Sequence, residues 1–362
     1  MHRPPERRVV LADVARLAAT SEATASRALK HDPRIGEATR AAVHAAALKL
    51  GYVPNAAARS LRAQRTHILG LLLDDLADPV HGKVAAGFEA AAAGEGYAVF
   101  MMTGLHDLDR EQRALTAFVE HRADGIVVAS CVSDPADVLS RVPADRVVFV
   151  QPDYPALADG AEPPAQGVVR TDDMAGVAAT VEHLVERGYR RITYVGPGSW
   201  ASDTMRRAAA ASTLEGLGHG PLRFLDAGVD GWRDASAVAR MLVDDPPEAI
   251  LCYDDKLALA LLHALRSTGL VVPDDLAVVG FDGIPAAHQS WPRLTTVDVP
   301  SVDVGRRAVE MLMASVREGR MPDSEMLQVR LVVGDSTPPL ASRAGSRAAV
   351  PETVAAGPGS GS

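Results

Sequence analysis

Three helical patterns follow one another between Val10 and Leu50, and they leave that segment few ways to fold. Leu11, Val14, Ala15 and Leu17 are expected on one helical face, and a second pattern, Ala25, Ala28 and Leu29, begins behind Ser21. Ser21 is well placed to cap that second helix by accepting a backbone N–H from its first turn. The connector Ala18-Ala19-Thr20 has the length a helix-turn-helix needs. A third pattern, about Glu37 to Leu50, turns Val43, Ala46, Ala47 and Leu50 inward and stops at Gly51. The second helix then exposes Glu22, Ala23, Thr24, Ser26, Arg27 and Lys30, a short polar and basic surface suited to a major groove.

Charge supports a nucleic-acid reader. Positions 1–65 hold twelve Lys/Arg and five Asp/Glu, a net of +7 in a chain whose total is −9, so the remainder carries −16. A small basic head on a large acidic body is the layout expected of a DNA-binding module attached to something else. Cys131 and Cys252 lie in apolar runs and read as buried thiols in a reducing compartment, rather than as a disulfide pair. The N-terminus has no apolar signal core, and no run of about 18 apolar residues occurs, so the expectation is a soluble, cytoplasmic protein. Residues 341–362, rich in Ala, Gly, Ser and Pro, read as a disordered tail.

After Thr66 short apolar runs alternate with helical stretches. Ile68–Leu73, Tyr97–Met102, Gly125–Ala129 and Val147–Val150 read as buried parallel strands, and the alternation resumes at Arg191–Val195, Ala249–Tyr253 and Leu276–Phe281. Two doubly wound lobes follow. In such sheets ligands bind beyond the carboxyl ends of the strands, and a cleft between two lobes collects those ends from both sides. The residues there are polar: Asp74-Asp75, Ser130, Thr171-Asp172-Asp173, Asp254-Asp255 and Asp282. Helix capping and loop solvation are the plainer uses of an aspartate at such a position.

The run Asp13–Leu29, with Arg40 and Gly51-Tyr-Val-Pro-Asn55, resembles the lactose-repressor (LacI/GalR) family, and the similarity extends over about residues 9–340. The resemblance implies an α/β chain with a three-helix helix-turn-helix head, a hinge helix, and a two-lobed periplasmic-binding-protein-like domain of doubly wound parallel sheets. Its boundaries would be 9–55 for the head, 56–65 for the hinge, and 66–340 for effector binding and dimerisation. Within the last, one lobe would take about 66–163 and 298–325, and the other about 164–297 and 326–340. By position in the motif, Ser21, Thr24, Ser26 and Asn55 would contact the DNA backbone, Glu22, Ala23 and Arg27 would read bases, and Tyr52 would lie near the phosphates. The hinge would be too short to stand alone and would form on DNA. Leu61, between Arg59 and Arg62, would then wedge into a minor-groove step; the plainer reading is linker surface.

In the body the resemblance places Asp282 of Gly280-Phe-Asp, Asp254 and Trp232 at effector contacts, with an arginine, Arg206 or Arg207, closing the set. Aspartate at 254 stands where the family carries asparagine, shifting the pocket toward acceptors or a cationic ligand, and His81 stands where an aromatic is usual. Its plainer reading is a surface-loop histidine. Val10 replaces a capping threonine, Ala19-Thr20 replaces Gly-Val in the turn, and Glu22 either accepts from a cytosine amine or complements the helix dipole. The implied protein is a homodimeric repressor of a pseudo-palindromic operator, controlled by a sugar or polyol effector, with no cofactor and no catalytic residue. A transport solute-binding protein would need the body alone, and the basic head argues against it. A doubly wound enzyme finds no dinucleotide fingerprint, phosphate loop, Cys/His cluster or nucleophile elbow here.

Overall fold

The computed structural model describes residues 9–52, 65–157, 159–233 and 235–342, which form two compact units divided at Thr66 and His67. Asn55, Arg59, Leu61, most of the hinge segment and nearly all of the C-terminal tail lie outside the described residues.

The first unit is three helices, α1 (Leu11–Leu17), α2 (Glu22–Leu29) and α3 (Glu37–Leu50). Val14, Ala15, Ala25, Ala28, Ile35, Val43, Ala46 and Ala47 form its core, with Leu11, Ala18, Leu29, Leu50 and Tyr52 packed against it. Leu17 does not join them: it is 46% exposed. Six residues beyond Leu11, its side chain falls well off the stripe that Leu11, Val14, Ala15 and Ala18 share. Val10 offers no side-chain cap, and Asp13 compensates from inside the helix by accepting the Val10 N–H at 3.1 Å. The turn is made without glycine, and Ala19 takes φ 50°, a left-handed conformation that costs an L residue about 1–2 kcal/mol. Gly51 closes α3 at φ 61°, where no such cost arises.

The second unit is built on two parallel sheets. In the first lobe the strands are β1 (Ile68–Leu73), β2 (Ala98–Thr103), β3 (Gly125–Ala129), β4 (Val147–Val150), β5 (Val168–Thr171) and, from much later in the chain, β11 (Glu325–Leu327), ordered β11-β5-β4-β3-β1-β2. The second lobe holds β6 (Ile192–Gly196), β7 (Arg223–Asp226), β8 (Ala249–Cys252) and β9 (Ala277–Val279), ordered β7-β6-β8-β9. A small antiparallel pair, β10 (Thr296–Asp298) with β12 (Arg330–Val332), joins its edge through bridges from Thr295 to Val279 and from Asp298 to Asp282.

The first crossing between lobes differs from the sequence expectation. The prolines at 163 and 164 mark a loop, but the chain then adds β5 to the first sheet, with Val168 and Val169 fully buried, and crosses only at Asp172. The return crossing follows Asp298, and the last passes between Leu327 and Arg330, dividing what reads as one apolar run between two sheets. Helices α4 (Pro79–Gly94) and α12 (Ser301–Glu318) pack together on the first sheet, and two glycines set their approach. A Cβ on Gly87 would lie 2.0 Å from the Val302 carbonyl oxygen, and one on Gly305 2.0 Å from that of Val84. Both cysteines are buried and unpaired, as the apolar runs around them imply.

Candidate functional site

On the head, Ser21 caps α2 as its position suggested: its Oγ accepts the Thr24 N–H at 3.1 Å and lies 2.9 Å from Thr24 Oγ1. Glu22, Ala23, Arg27 and Lys30 are exposed, while Thr24 and Ser26 are half-buried. Arg27 donates from Nε to the Ala23 carbonyl at 3.2 Å, which lays its stem along the helix and fixes the plane of the guanidinium fork. Tyr52 is half-buried against the helical core, and its N–H bonds to the Ala47 carbonyl at 2.9 Å. Of the residues proposed for DNA, those within the described segments thus share α2 and the end of α3.

In the body a cavity of about 450 Å³ lies between the two lobes, where the carboxyl ends of both sheets meet. Asp74, Asp75, His81, Ser130, Arg206, Trp232, Asp254 and Asp282 all line it. Two expected residues do not. Asp172 caps helix α7 (Asp173–Glu186) by accepting the Ala175 N–H at 3.1 Å, and its neighbour Asp173 faces the cleft instead. Arg207 lays its guanidinium over the Phe224 ring at 4.2 Å, away from the cleft. A larger hollow of about 790 Å³ lies among Leu157, the prolines at 163 and 164, Met174 and Met205. It holds only Glu162 and Arg170 as charged groups, so the convergence of polar side chains marks the smaller cleft as the candidate site.

Arg206, from helix α8 (Ala201–Gly216), organises the cleft floor. Its Nε and Nη2 donate to Asp173 Oδ2 at 3.0 and 2.7 Å, and Nη1 donates to the Tyr253 carbonyl at 2.9 Å. The guanidinium lies over the Phe281 ring at 3.8 Å, and Nη2 is 3.9 Å from Asp282 Oδ1. Asp282 sits at φ 107°, a strained backbone that aims the carboxylate from the strand end into the cleft. Burial pushes its carboxyl well above the usual range, against the pull of Arg206. Asp255, one residue past Asp254, faces the other way. It accepts from Thr296 Oγ1 at 2.6 Å and the Ile284 N–H at 2.9 Å, sits against Gly280, and burial raises it to about 7. Asp255 therefore holds the turn that presents Asp282.

Several cleft residues were not foreseen. Lys256 pairs with Asp78 across the cleft and lies 3.5 Å from Asp254, with its ammonium 5.3 Å from the Trp232 ring centre. Burial opposes the lysine charge, but Asp254 and Asp78 outweigh it and raise the pKa. Its signal was a lysine in the first turn of helix α10 (Asp255–Leu265), the end where the dipole disfavours a cation. The lobes meet again where Ser202 N–H donates to Asp153 Oδ1 at 2.6 Å, where Lys83 Nζ donates to the Gly283 carbonyl at 2.9 Å, and where His106 stacks on Trp200 at 4.7 Å. His106 also pairs with Asp74 at 2.7 Å; burial disfavours the charged ring, yet Asp74, Asp153 and Glu111 together raise its pKa. No sequence spacing links these groups, because they lie on separate loops and helix starts of different lobes. His81 stands in the first turn of α4 rather than in a loop, its Nδ1 2.9 Å from the Asp75 carbonyl oxygen. Ser130 takes φ 54°, and the loop after it is held by the buried Glu111, which accepts from the Val132 and Ser133 N–H groups at 3.0 and 2.8 Å.

A three-helix head with an exposed, capped second helix, and a two-lobed body with a charged cleft, together have the build of a helix-turn-helix regulator. Residues 10–55 match the family described as bacterial regulatory proteins, lacI family, and residues 181–337 match a periplasmic binding protein-like domain. The HTH-type transcriptional regulator GalR of Salmonella typhimurium is 30% identical over 324 residues, spanning 88% of this chain and 92% of the relative. The HTH-type transcriptional repressor CytR of Escherichia coli is 27% identical over 341 residues, spanning 92% and 97%. The chain belongs to the lacI family of transcriptional regulators, whose members are regulators and not enzymes. Among solved structures, the lac repressor dimer bound to operator and the anti-inducer ONPF shares the fold, with a TM-score of 0.80 and 24% identity over 92% of this chain and all of that one. The complex of the transcriptional regulator CelR with cellobiose has a TM-score of 0.65 and 27% identity over 91% of this chain and all of that one. Among the described residues no helix is long and apolar enough to cross a membrane.

Proposed function

We propose that the chain is a homodimeric repressor acting in the cytoplasm on a pseudo-palindromic operator, and that a saccharide or polyol in the inter-lobe cleft controls its hold on DNA. The observation that carries this reading is the pairing of an exposed, Arg27-bearing α2 in one unit with a cleft lined from both lobes in the other. Relatives point the same way: they include a transcriptional repressor, an operator-bound repressor dimer and a regulator in complex with cellobiose. In the cleft, carboxylates accept from hydroxyls and Trp232 covers an apolar face, the combination a hydroxyl-rich ligand needs. Asp74, Asp75, His81, Ser130, Arg206, Trp232, Asp254 and Asp282 form the proposed effector set, and Asp173 takes the place of Asp172. On DNA, Glu22, Ala23 and Arg27 face the bases, Ser21, Thr24, Ser26, Tyr52 and Asn55 contact the backbone, and Leu61, flanked by Arg59, enters a minor-groove step. Each head reads one half-site, with half-sites about one helical turn or a multiple apart.

Arg27→Ala tests the head. Binding sites selected from a random duplex library should lose a base preference in each half-site, by about 1–3 kcal/mol of discrimination, while sequence-independent binding persists. Identical selected sites and identical footprints for both proteins would remove Arg27 from base reading.

A further inference from the structure

The cleft carries more negative charge than neutral sugar hydroxyls require. Eight aspartates line it, at 74, 75, 78, 153, 173, 230, 254 and 282, against three fixed cations, Arg206, Arg233 and Lys256, a formal balance of −5 when every carboxyl is counted as ionised and both lining histidines as neutral. Six of these carboxylates have a local partner: Asp173 holds Arg206, Asp78 holds Lys256, Asp74 holds His106, Asp230 faces Arg233, and Asp153 and Asp75 accept the Ser202 and Ala77 N–H groups. Asp282 is different. Among the described residues no hydrogen bond to its side chain is present, and its nearest cation, Arg206, stands 3.9 Å away, committed to Asp173 by two bonds. Asp254 spends Oδ1 on capping α10 through the Leu257 N–H at 2.7 Å, and its Oδ2 keeps only the Lys256 contact at 3.5 Å. Both side chains are largely withdrawn from water, 13% and 7% exposed, where an unmatched acceptor is costly and a cationic donor is worth most.

The cleft also displays how it holds an ammonium. Lys256 places one between carboxylates from opposite lobes and over the indole of Trp232. A low-dielectric cleft of a single sign concentrates ligands of the other sign. Fully cationic chains such as polyamines would leave Ser130, whose hydroxyl makes no hydrogen bond among the described residues, without a hydroxyl partner; Ser202 already pairs with Tyr253, and Gln151 with Thr171. An amino acid would bring a carboxylate, and Arg206 is already taken up by Asp173.

We propose that the effector is an amino sugar, its ammonium held by Asp282 and Asp254 and its ring face set against Trp232. This rests on the reading of the cleft as the effector site. The test is calorimetric titration of the full-length protein with D-glucosamine, D-galactosamine and D-mannosamine, each beside its neutral parent hexose and its N-acetyl derivative. An amine-bearing probe should bind at least about tenfold more tightly than its neutral counterparts, the ratio one added charge-assisted hydrogen bond supplies. Asp282→Asn should collapse that ratio toward one. Asp254→Asn, which keeps the capping oxygen, should do the same to a lesser degree and serves where the first variant folds poorly. Neutral hexoses binding as tightly as the amines, or an amine preference indifferent to both substitutions, overturns the amino-sugar assignment and leaves the saccharide reading standing. Absence of binding by every amine and every neutral probe overturns both.

Discussion

Gly305→Val should cost the ligand-binding unit roughly 3 kcal/mol or more, a large loss for a single substitution. The expected cause is backbone contact. A Cβ at 305 would meet the Val84 carbonyl oxygen at 2.0 Å, the Phe88 nitrogen at 2.8 Å and the Val84 carbonyl carbon at 3.0 Å. None of these is the end of a flexible side chain, so α4 and α12 must separate, and the buried Val84, Phe88, Ala308 and Leu312 must lose contact with them. Gly87, against Val302, imposes the same limit from the other helix. Gly94 provides the comparison, because a Cβ there meets nothing within 4 Å. Gly94→Ala should be neutral or slightly stabilising, by up to about 1 kcal/mol, through helix propensity alone. Urea unfolding followed by tryptophan fluorescence separates the two; equal midpoints for Gly305→Val and wild type would show that the helices are not held at backbone contact.

Arg206→Met should be the second large loss, about 3–5 kcal/mol, because it strands the Asp173 carboxylate in a site built around a buried guanidinium and removes the nearest cation to Asp282. Binding of any cleft ligand should fall with it. Arg207→Met, one residue along, should change stability by less than about 1 kcal/mol and leave the cleft intact, since Arg207 contributes a ring contact with Phe224. Asp173→Asn in the Arg206→Met background should restore part of the loss by removing the stranded charge. The measurement is the same unfolding series with a ligand titration beside it. Equal effects of the two arginine substitutions would contradict the assignment of Arg206 as the cleft arginine.

That pair of arginines also shows where sequence reading ended. Adjacent helical residues differ by about 100° in direction, so the choice depends on the phase of α8. The buried positions Ala201, Asp203, Arg206, Ala210 and Leu214 reveal that phase in the fold. In the sequence the four alanines from 208 to 211 conceal it, because alanine is equally at home on either face. Asp172 and Asp173 pose the same problem at a strand end: one caps a helix, its neighbour binds Arg206, and only the packing of α7 on α8 distinguishes them. By contrast buried parallel strands such as Ile68–Leu73 and Gly125–Ala129 were legible, since they are apolar on both faces and bounded by polar residues, whereas the short β5 behind the prolines was not. The capped α2 was legible too, because Ser21 acts on its own next turn. Local chemistry reads well from sequence, and contacts such as Asp78 with Lys256, 178 residues apart, do not.

On the proposed function, occupancy of the cleft changes the hold of the head on DNA. Fluorescence anisotropy of a duplex selected by the protein itself, titrated at fixed salt with and without a saturating cleft ligand, measures it directly. The expected result is a ligand-induced change in Kd of about 5- to 150-fold for wild type, and little or none for Asp282→Asn at the same ligand concentration. The same Kd with and without ligand, in a protein that calorimetry shows to be saturated, would contradict it.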